Sequence, residues 1–184
     1  RRDPGRADET RSVGERGRQR DRLDPDALIM LDRDETGSPA LQLSIAGKVT
    51  LESPSLVRAD NRDATRMDDV FQQHRPHVVF HASALKHLPL LEQAPAEAWK
   101  TNIVGTQNVL DAARRAGVER LVNISTDKAA DPISVLGYSK RIAERLTAEA
   151  GHSNAGTFVS VRFGNVLGSR GSVLVTFRAQ ALAR

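Results

Sequence analysis

Ser125, Thr126, Asp127 and Lys128 put two hydroxyls, a carboxylate and an amine in immediate succession, and a second amine, Lys140, follows twelve residues after Lys128. Such groups donate, accept and relay protons. The apolar run Leu121-Val122-Asn123-Ile124 ahead of them reads as a buried parallel strand. Asp131-Pro132 marks a turn, and a helix starts near Ser134. The cluster therefore leaves the carboxyl end of a strand, where open α/β sheets bind ligands. Titratable and nucleophilic groups gathered at that place point to function rather than to a solvated loop.

Further candidates sit at other strand ends. Asp32 closes the apolar run 27–31. In dinucleotide-binding folds an acid there hydrogen-bonds the adenosine ribose, and it lies ~20 residues after a glycine-rich phosphate loop. Counting back reaches Gly14 and Gly17 in VGERGRQR, which is not that loop and follows no apolar strand. Arg33 beside Asp32 leaves a 2′-phosphate, and so NADP, open beside NAD. Asp60 and Asn61 end the second strand, where Asp60 could meet an adenine edge. Ala82-Ser83-Ala84 follow the third strand with side chains small enough for a ligand to approach the backbone. The glycine-rich segment 162–171 carries Arg162, Asn165 and Arg170, donors suited to phosphate or sugar oxygens. Leu136 lies about 40° from Lys140 around the helix, on the same face, whereas Tyr138 lies about 200° away.

The elements that must position these groups alternate. Short strands are expected over 27–31, 55–59, 77–81, 121–124 and 157–161. Helices are expected over 65–73, 88–92, 95–116, 134–150 and 173–182, with Gly117 and Gly151 just beyond two of their ends. Strands alternating with helices of this length imply βαβ units and a parallel sheet. Residues 1–22 differ: eight arginines face five acids and Val13 is the one aliphatic apart from an alanine. Such a segment buries too little apolar surface to order itself, and it forms a disordered or non-native arm ahead of a domain spanning 23–184.

The whole chain of 184 residues has a net charge of +4, of which the arm supplies +3, eight arginines less five acids. The arm lacks aromatic residues for stacking on bases, so nucleic acid is not expected as a partner. There is no cysteine, which excludes disulfides, zinc–thiolate sites and thiol nucleophiles and suits the cytosol. His74, His77, His81 and His87 cluster in sequence without a carboxylate at ligand spacing, so no metal site is expected.

The segments LIMLDRDE (28–35), RPHVVFHASALKHLPLLE (75–92), TNIVGTQNVLDAA (101–113), VNISTDKAADPISVLGYSKRIAE (122–144) and VRFGNVLGSRGSV (161–173) give this chain its resemblance to a known group. It resembles the extended short-chain dehydrogenase/reductase superfamily. More closely it is similar to the CapD-type polysaccharide-biosynthesis proteins, nucleotide-sugar 4,6-dehydratases acting on UDP-N-acetylglucosamine and related sugars. The resemblance implies a Rossmann-type doubly wound parallel sheet, here incomplete, with the first strand and phosphate loop absent or corrupted. It implies a lyase reaction in which bound NAD or NADP oxidises the sugar C4 hydroxyl, water leaves across C5 and C6, and hydride returns to C6.

Matched position by position, the resemblance makes Thr126 the partner of the C4 oxygen, Asp127 the acid for the departing C6 hydroxyl and Lys128 the base at C5. Lys140 becomes the cofactor-ribose lysine. Asp32, Arg33, Asp60, Asn61, His81, Ala82, Ser83, Ala84, Lys86 and Asn102 fall along the cofactor. Lys86, His87, Arg162, Asn165 and Arg170 fall toward the sugar nucleotide. Leu136 stands where better-known relatives carry tyrosine. That departure matches the larger, membrane-anchored branch of the group, and it leaves Asp127, or Thr126 through water, to take the C4 proton.

The expectation is therefore a cytoplasmic UDP-sugar dehydratase whose full-length parent is anchored to the inner membrane. The homo-oligomer of the intact protein would use the helices 96–116 and 134–150. The chain reads as truncated at its end and, through the arm, as frame-shifted at its start, so weak cofactor binding and no turnover are expected of the fragment itself. A nucleotide-sugar epimerase or reductase, and a non-catalytic dinucleotide-binding module, are the alternatives.

Overall fold

The computed structural model describes residues 26–34, 55–153 and 156–164. The arm 1–22, the expected helix 173–182, Asn165 and Arg170 lie outside these described residues. Met30–Asp32 (β1) and Leu56–Arg58 (β2) pair in parallel, with Asp32 opposite Arg58. Val78–His81 (β3), Arg120–Thr126 (β4) and Thr157–Phe163 (β5) form a second parallel sheet in the order β3-β4-β5. Each parallel pairing of β3, β4 and β5 needs a crossover, and helices supply it.

Helix α1 (Ala64–His74) begins where Asp63 accepts a hydrogen bond from the Arg66 amide at 2.9 Å. Its Met67, Val70 and Phe71 go inward at the spacing read from the sequence. Between β3 and β4 lie α2 (Leu88–Gln93), α3 (Pro95–Ala98), a π turn (Trp99–Val104) and α4 (Gly105–Arg115). The single helix expected from Pro95 to 116 is thus widened in its middle. The Asn61 amide there donates to the Thr101 carbonyl at 3.1 Å, and Gly105 lacks the side chain that would collide with that amide. Gly117 follows at φ 74°, the left-handed cap its position implied. After β4 comes a 3₁₀ turn (Asp127–Ala129), then α5 (Val135–His152), capped by Ser134 Oγ accepting from the Gly137 amide. Gly151 lies inside α5 rather than beyond it.

Helices α1, α4 and α5 pack from one side, α1 on α4 and α4 on α5. Met67, Leu110, Ala112, Ala113, Val118, Leu121 and Phe158 are at most 6% exposed in the resulting core. The opposite face is far more open: Phe80 is 63% exposed, and Val78, Val159, Val161 and Phe163 lie between 39% and 48%. Strands β4 and β5 both run two residues further than their apolar runs suggest. Ser125 and Thr126 are therefore strand residues, and so is Arg162, which the sequence reading placed in a loop. Among the described residues no helix is long and apolar enough to cross a membrane.

Candidate functional site

Strand β4 ends by turning its last side chains in different directions. Ser125 points toward α5 and is buried. The next residue, Thr126, faces the other way by the two-residue period of a strand. Its hydroxyl donates to Asp127 Oδ1 at 2.9 Å, and Lys128 Nζ donates to the same oxygen at 3.2 Å. The three residues thus form one hydrogen-bonded chain at the strand end. The Asp127 carboxylate is held below its ordinary pKa, first by the Thr126 hydroxyl and then by Lys128. A Cβ on Gly164 would sit 3.9 Å from Asp127 Oδ2, so the end of β5 borders the carboxylate.

The turn is pressed from below by α5. A Cβ built on Gly137 would meet the Lys128 carbonyl at 2.6 Å and Pro132 at 3.1 Å. Backbone atoms yield little, so Gly137→Ala should destabilise the fold by ~1–3 kcal/mol although alanine suits a helix. Chemical denaturation of the two proteins measures this, and an unchanged midpoint would show that the turn gives way freely.

Lys140, one helical turn further on, is 9% exposed and donates to the Ile124 carbonyl at 2.8 Å. Burial lowers its pKa to about 8, and Glu144 opposes the shift. An ammonium has three N–H groups, so two remain for a ligand. Leu136 shares the inward face of α5 and is 6% exposed, packed with Leu91 and Ala98. Tyr138, on the opposite side as its spacing implied, is 56% exposed.

Four of the residues expected at the site have partners within the fold. Asn102 is one of them. It is 1% exposed, its Oδ1 accepts from the Leu85 amide at 2.8 Å, and its Nδ2 donates to the Leu85 carbonyl and to Ser139 Oγ. It is the clamp that fixes the backbone after Ala82-Ser83-Ala84. Asn61 is 4% exposed and spends its amide on Thr101. His81 is buried, with Nε2 3.0 Å from Thr106 Oγ1. That hydroxyl already donates to the Asn102 carbonyl at 2.7 Å, so Nε2 carries the proton and donates to it. Arg162 is bound bidentately to Glu144, at 2.8 and 2.7 Å.

Burial, and next to it the charge of Lys140, lowers the His81 pKa to about 4. Above pH 6.5 the ring is neutral in folded and unfolded chains alike. Between 6.5 and 4 the unfolded chain takes a proton that the folded one refuses, so stability falls as pH drops through that window. The full loss is roughly 3 kcal/mol. His81→Gln should remove this part of the acid limb, as read from denaturation midpoints at pH 7, 5.5 and 4. An identical slope in the variant would assign the acid sensitivity elsewhere.

The other expected residues gather in two places. Ala82 and Ser83 are exposed, as are Lys86 and His87 after the clamp. Asp32 ends β1 and accepts from the Asp34 amide at 2.9 Å. Asp60 lies two residues beyond β2, held by Arg62 at 2.7 Å and by Arg33 at 3.5 Å, and Arg62 lowers its pKa. A cleft lies here between Arg33, Arg58 and Arg62. Asp32, the cleft of three arginines and two aspartates, and the buried Lys140 are the described groups available to hold a dinucleotide. Sequence reasoning passed over Glu144 and Ser139. Glu144 was legible as the i+4 partner of Lys140 on one helix face.

Comparison with known proteins follows this geometry. The family model described as "Polysaccharide biosynthesis protein" matches residues 11–183, which takes in the second half of the arm. Over 164 residues, 89% of this chain and 27% of the relative, the chain is 42% identical to the probable polysaccharide biosynthesis protein EpsC of Bacillus subtilis. It is 36% identical to the inverting UDP-N-acetylglucosamine 4,6-dehydratase of Campylobacter jejuni, over 84% of this chain and 45% of that protein. The crystal structure of Pen from Bacillus thuringiensis superposes with a TM-score of 0.75 at 36% identity, covering 86% of this chain and 48% of that one. Solved structures of the same fold include UDP-glucose 4-epimerases in complex with NAD. The chain spans less than half the length of each relative named here.

Proposed function

Because this chain belongs to the polysaccharide biosynthesis protein family, we propose that its strand-end cluster carries the dehydration chemistry of a UDP-sugar 4,6-dehydratase, with UDP-N-acetylglucosamine as the sugar nucleotide. The observation that carries the reading is the hydrogen-bonded chain Thr126–Asp127–Lys128 at the end of β4. NAD or NADP, held by Asp32, Asp60 and Lys140, supplies when bound the oxidation at the sugar C4 and the matching reduction at C6.

The residues divide the proton transfers as follows. Leu136 offers no phenol, and Asp127 is ionised at neutral pH because Thr126 and Lys128 stabilise its charge. Asp127 is therefore a base before it is an acid. The Thr126 hydroxyl takes the C4 proton while passing its own to Asp127 Oδ1. Lys128, acting as its free amine, accepts the C5 proton. Asp127 then gives its proton to the departing C6 hydroxyl, which leaves as water. Lys128 returns a proton to C5 as C6 is reduced, and both side chains end as they began. One carboxylate taking and giving the same proton removes the conflict between an acid role and a depressed pKa.

The reading is tested in a full-length chimera in which residues 26–164 replace the matching segment of the Campylobacter jejuni dehydratase. With UDP-N-acetylglucosamine in D₂O, the product should be a 4-keto-6-deoxy sugar carrying one deuterium at C5. A sugar inverted at C4 with no water lost would favour an epimerase instead. The setting in the cell is the cytoplasm on this reading, in keeping with a cysteine-free chain. The intact protein pairs through α4 and α5, whose outer surface carries Ile142 and Tyr138.

A further inference from the structure

We infer that Glu144 is a positioning residue that locks the end of β4, and with it the Thr126–Lys128 turn, onto α5. The inference deepens the reading above and rests on it for its catalytic meaning. Its geometry stands by itself. Glu144 lies one turn after Lys140 on α5, and its side chain is 10% exposed. Ser125 Oγ donates to its Oε1 at 2.6 Å. Arg162 Nε donates to Oε1 at 2.8 Å and Arg162 Nη2 to Oε2 at 2.7 Å. Arg141 approaches Oε2 at 3.5 Å.

Ser125 and Arg162 are partners in the β4–β5 register. One carboxylate therefore ties the next-to-last rung of both strands to the helix. Lys140 adds a second tie from the same helix face, to the Ile124 carbonyl, one residue earlier on β4. Two consecutive strand residues are thus gripped by two side chains one helical turn apart. The next residue along β4 is Thr126. A bidentate arginine–carboxylate pair is directional, so the grip sets orientation as well as proximity. Removing the carboxylate leaves the buried Ser125 hydroxyl without its acceptor and frees the part-exposed Arg162 guanidinium, which is why the cost should concentrate at this corner. It also accounts for Arg162, whose charge is spent within the fold.

The test uses the full chain and needs no turnover. Amide hydrogen exchange is followed by NMR in Glu144→Gln and Ser125→Ala, with the Lys140 ammonium titrated in parallel. In Glu144→Gln, exchange at Ser125, Thr126 and Ala130 should rise at least tenfold while Leu121 and Val122 keep their rates. The Lys140 titration should also move to lower pH, because Glu144 is the charge that holds it up. Ser125→Ala should loosen the same three amides and leave the Lys140 titration in place. A uniform rise at all five amides, or no rise at the three, overturns the inference. If Glu144→Gln fails to fold, Ser125→Ala decides alone by the same three amides. A chimera that lacked dehydratase activity would leave these readouts standing, so the two ideas fail separately.

Discussion

Asp127→Asn should stop the chimera before the sugar is oxidised, whereas Lys128→Met should stop it afterwards. Each loss of overall turnover should be about 10²–10⁴-fold, the usual range for a positioned acid or base. Asparagine still accepts the Thr126 hydroxyl but cannot take a proton from it, so the C4 proton has nowhere to go and reduced nicotinamide never forms. Methionine at 128 leaves the Thr126–Asp127 pair intact. Oxidation at C4 then proceeds and reduced nicotinamide accumulates, but no deuterium enters C5 and no water is lost. Absorbance of the reduced cofactor in a single turnover separates the two outcomes. If both variants accumulate it equally, Asp127 does not serve as the first base, and the C4 proton leaves by another route.

Lys140→Met should make the folded chain more stable at neutral pH. Burial holds the lysine at about 8 against an ordinary 10.5. Below pH 8 the folded chain carries a charge that its surroundings disfavour, which costs roughly 3 kcal/mol. Methionine removes that cost and forfeits one hydrogen bond to Ile124, worth about 1 kcal/mol. The variant should therefore gain ~2 kcal/mol at pH 7. From pH 8 to 10.5 the unfolded chain holds a proton that the folded one has released, so the wild type gains stability with pH and overtakes the variant near the upper end. Denaturation midpoints at pH 7 and 10 test this. A variant that is less stable at both would show that the amine packs as a structural group. The expected result instead places Lys140 among residues kept at a cost to stability, as functional groups in a cleft often are.

Much of this arrangement could be read before any coordinates. Strands stood out as short apolar runs, and Gly117 and Ser134 marked helix ends through their particular chemistry. The reactive residues were legible too, because Thr126, Asp127 and Lys128 adjoin in the chain and their strand ends where the apolar run ends. Helical spacing also placed Leu136 with Lys140 and turned Tyr138 away. Asn102, Asn61, His81 and Arg162 were read as ligand contacts, and each has a partner inside the fold. Asn61, His81 and Arg162 lie at or near a strand end and Asn102 lies in the π turn, and nothing local to them shows which partners the fold supplies.

What decided those four cases was tertiary. Asn102 meets Leu85 and Ser139 across 17 and 37 residues, and Arg162 meets Glu144 across 18. Such pairs depend on how α5 and the π turn lie against the sheet. The protonation state of Asp127 and the depressed pKa of Lys140 have the same origin, since burial and neighbours set a pKa and sequence position does not. The sequence alone determined the kind of fold and the absence of cysteine chemistry, because these follow from residue type and short-range period. The tertiary structure decided which polar groups face the cleft and which hold it in shape, because only packed neighbours can take a hydrogen bond away from a ligand.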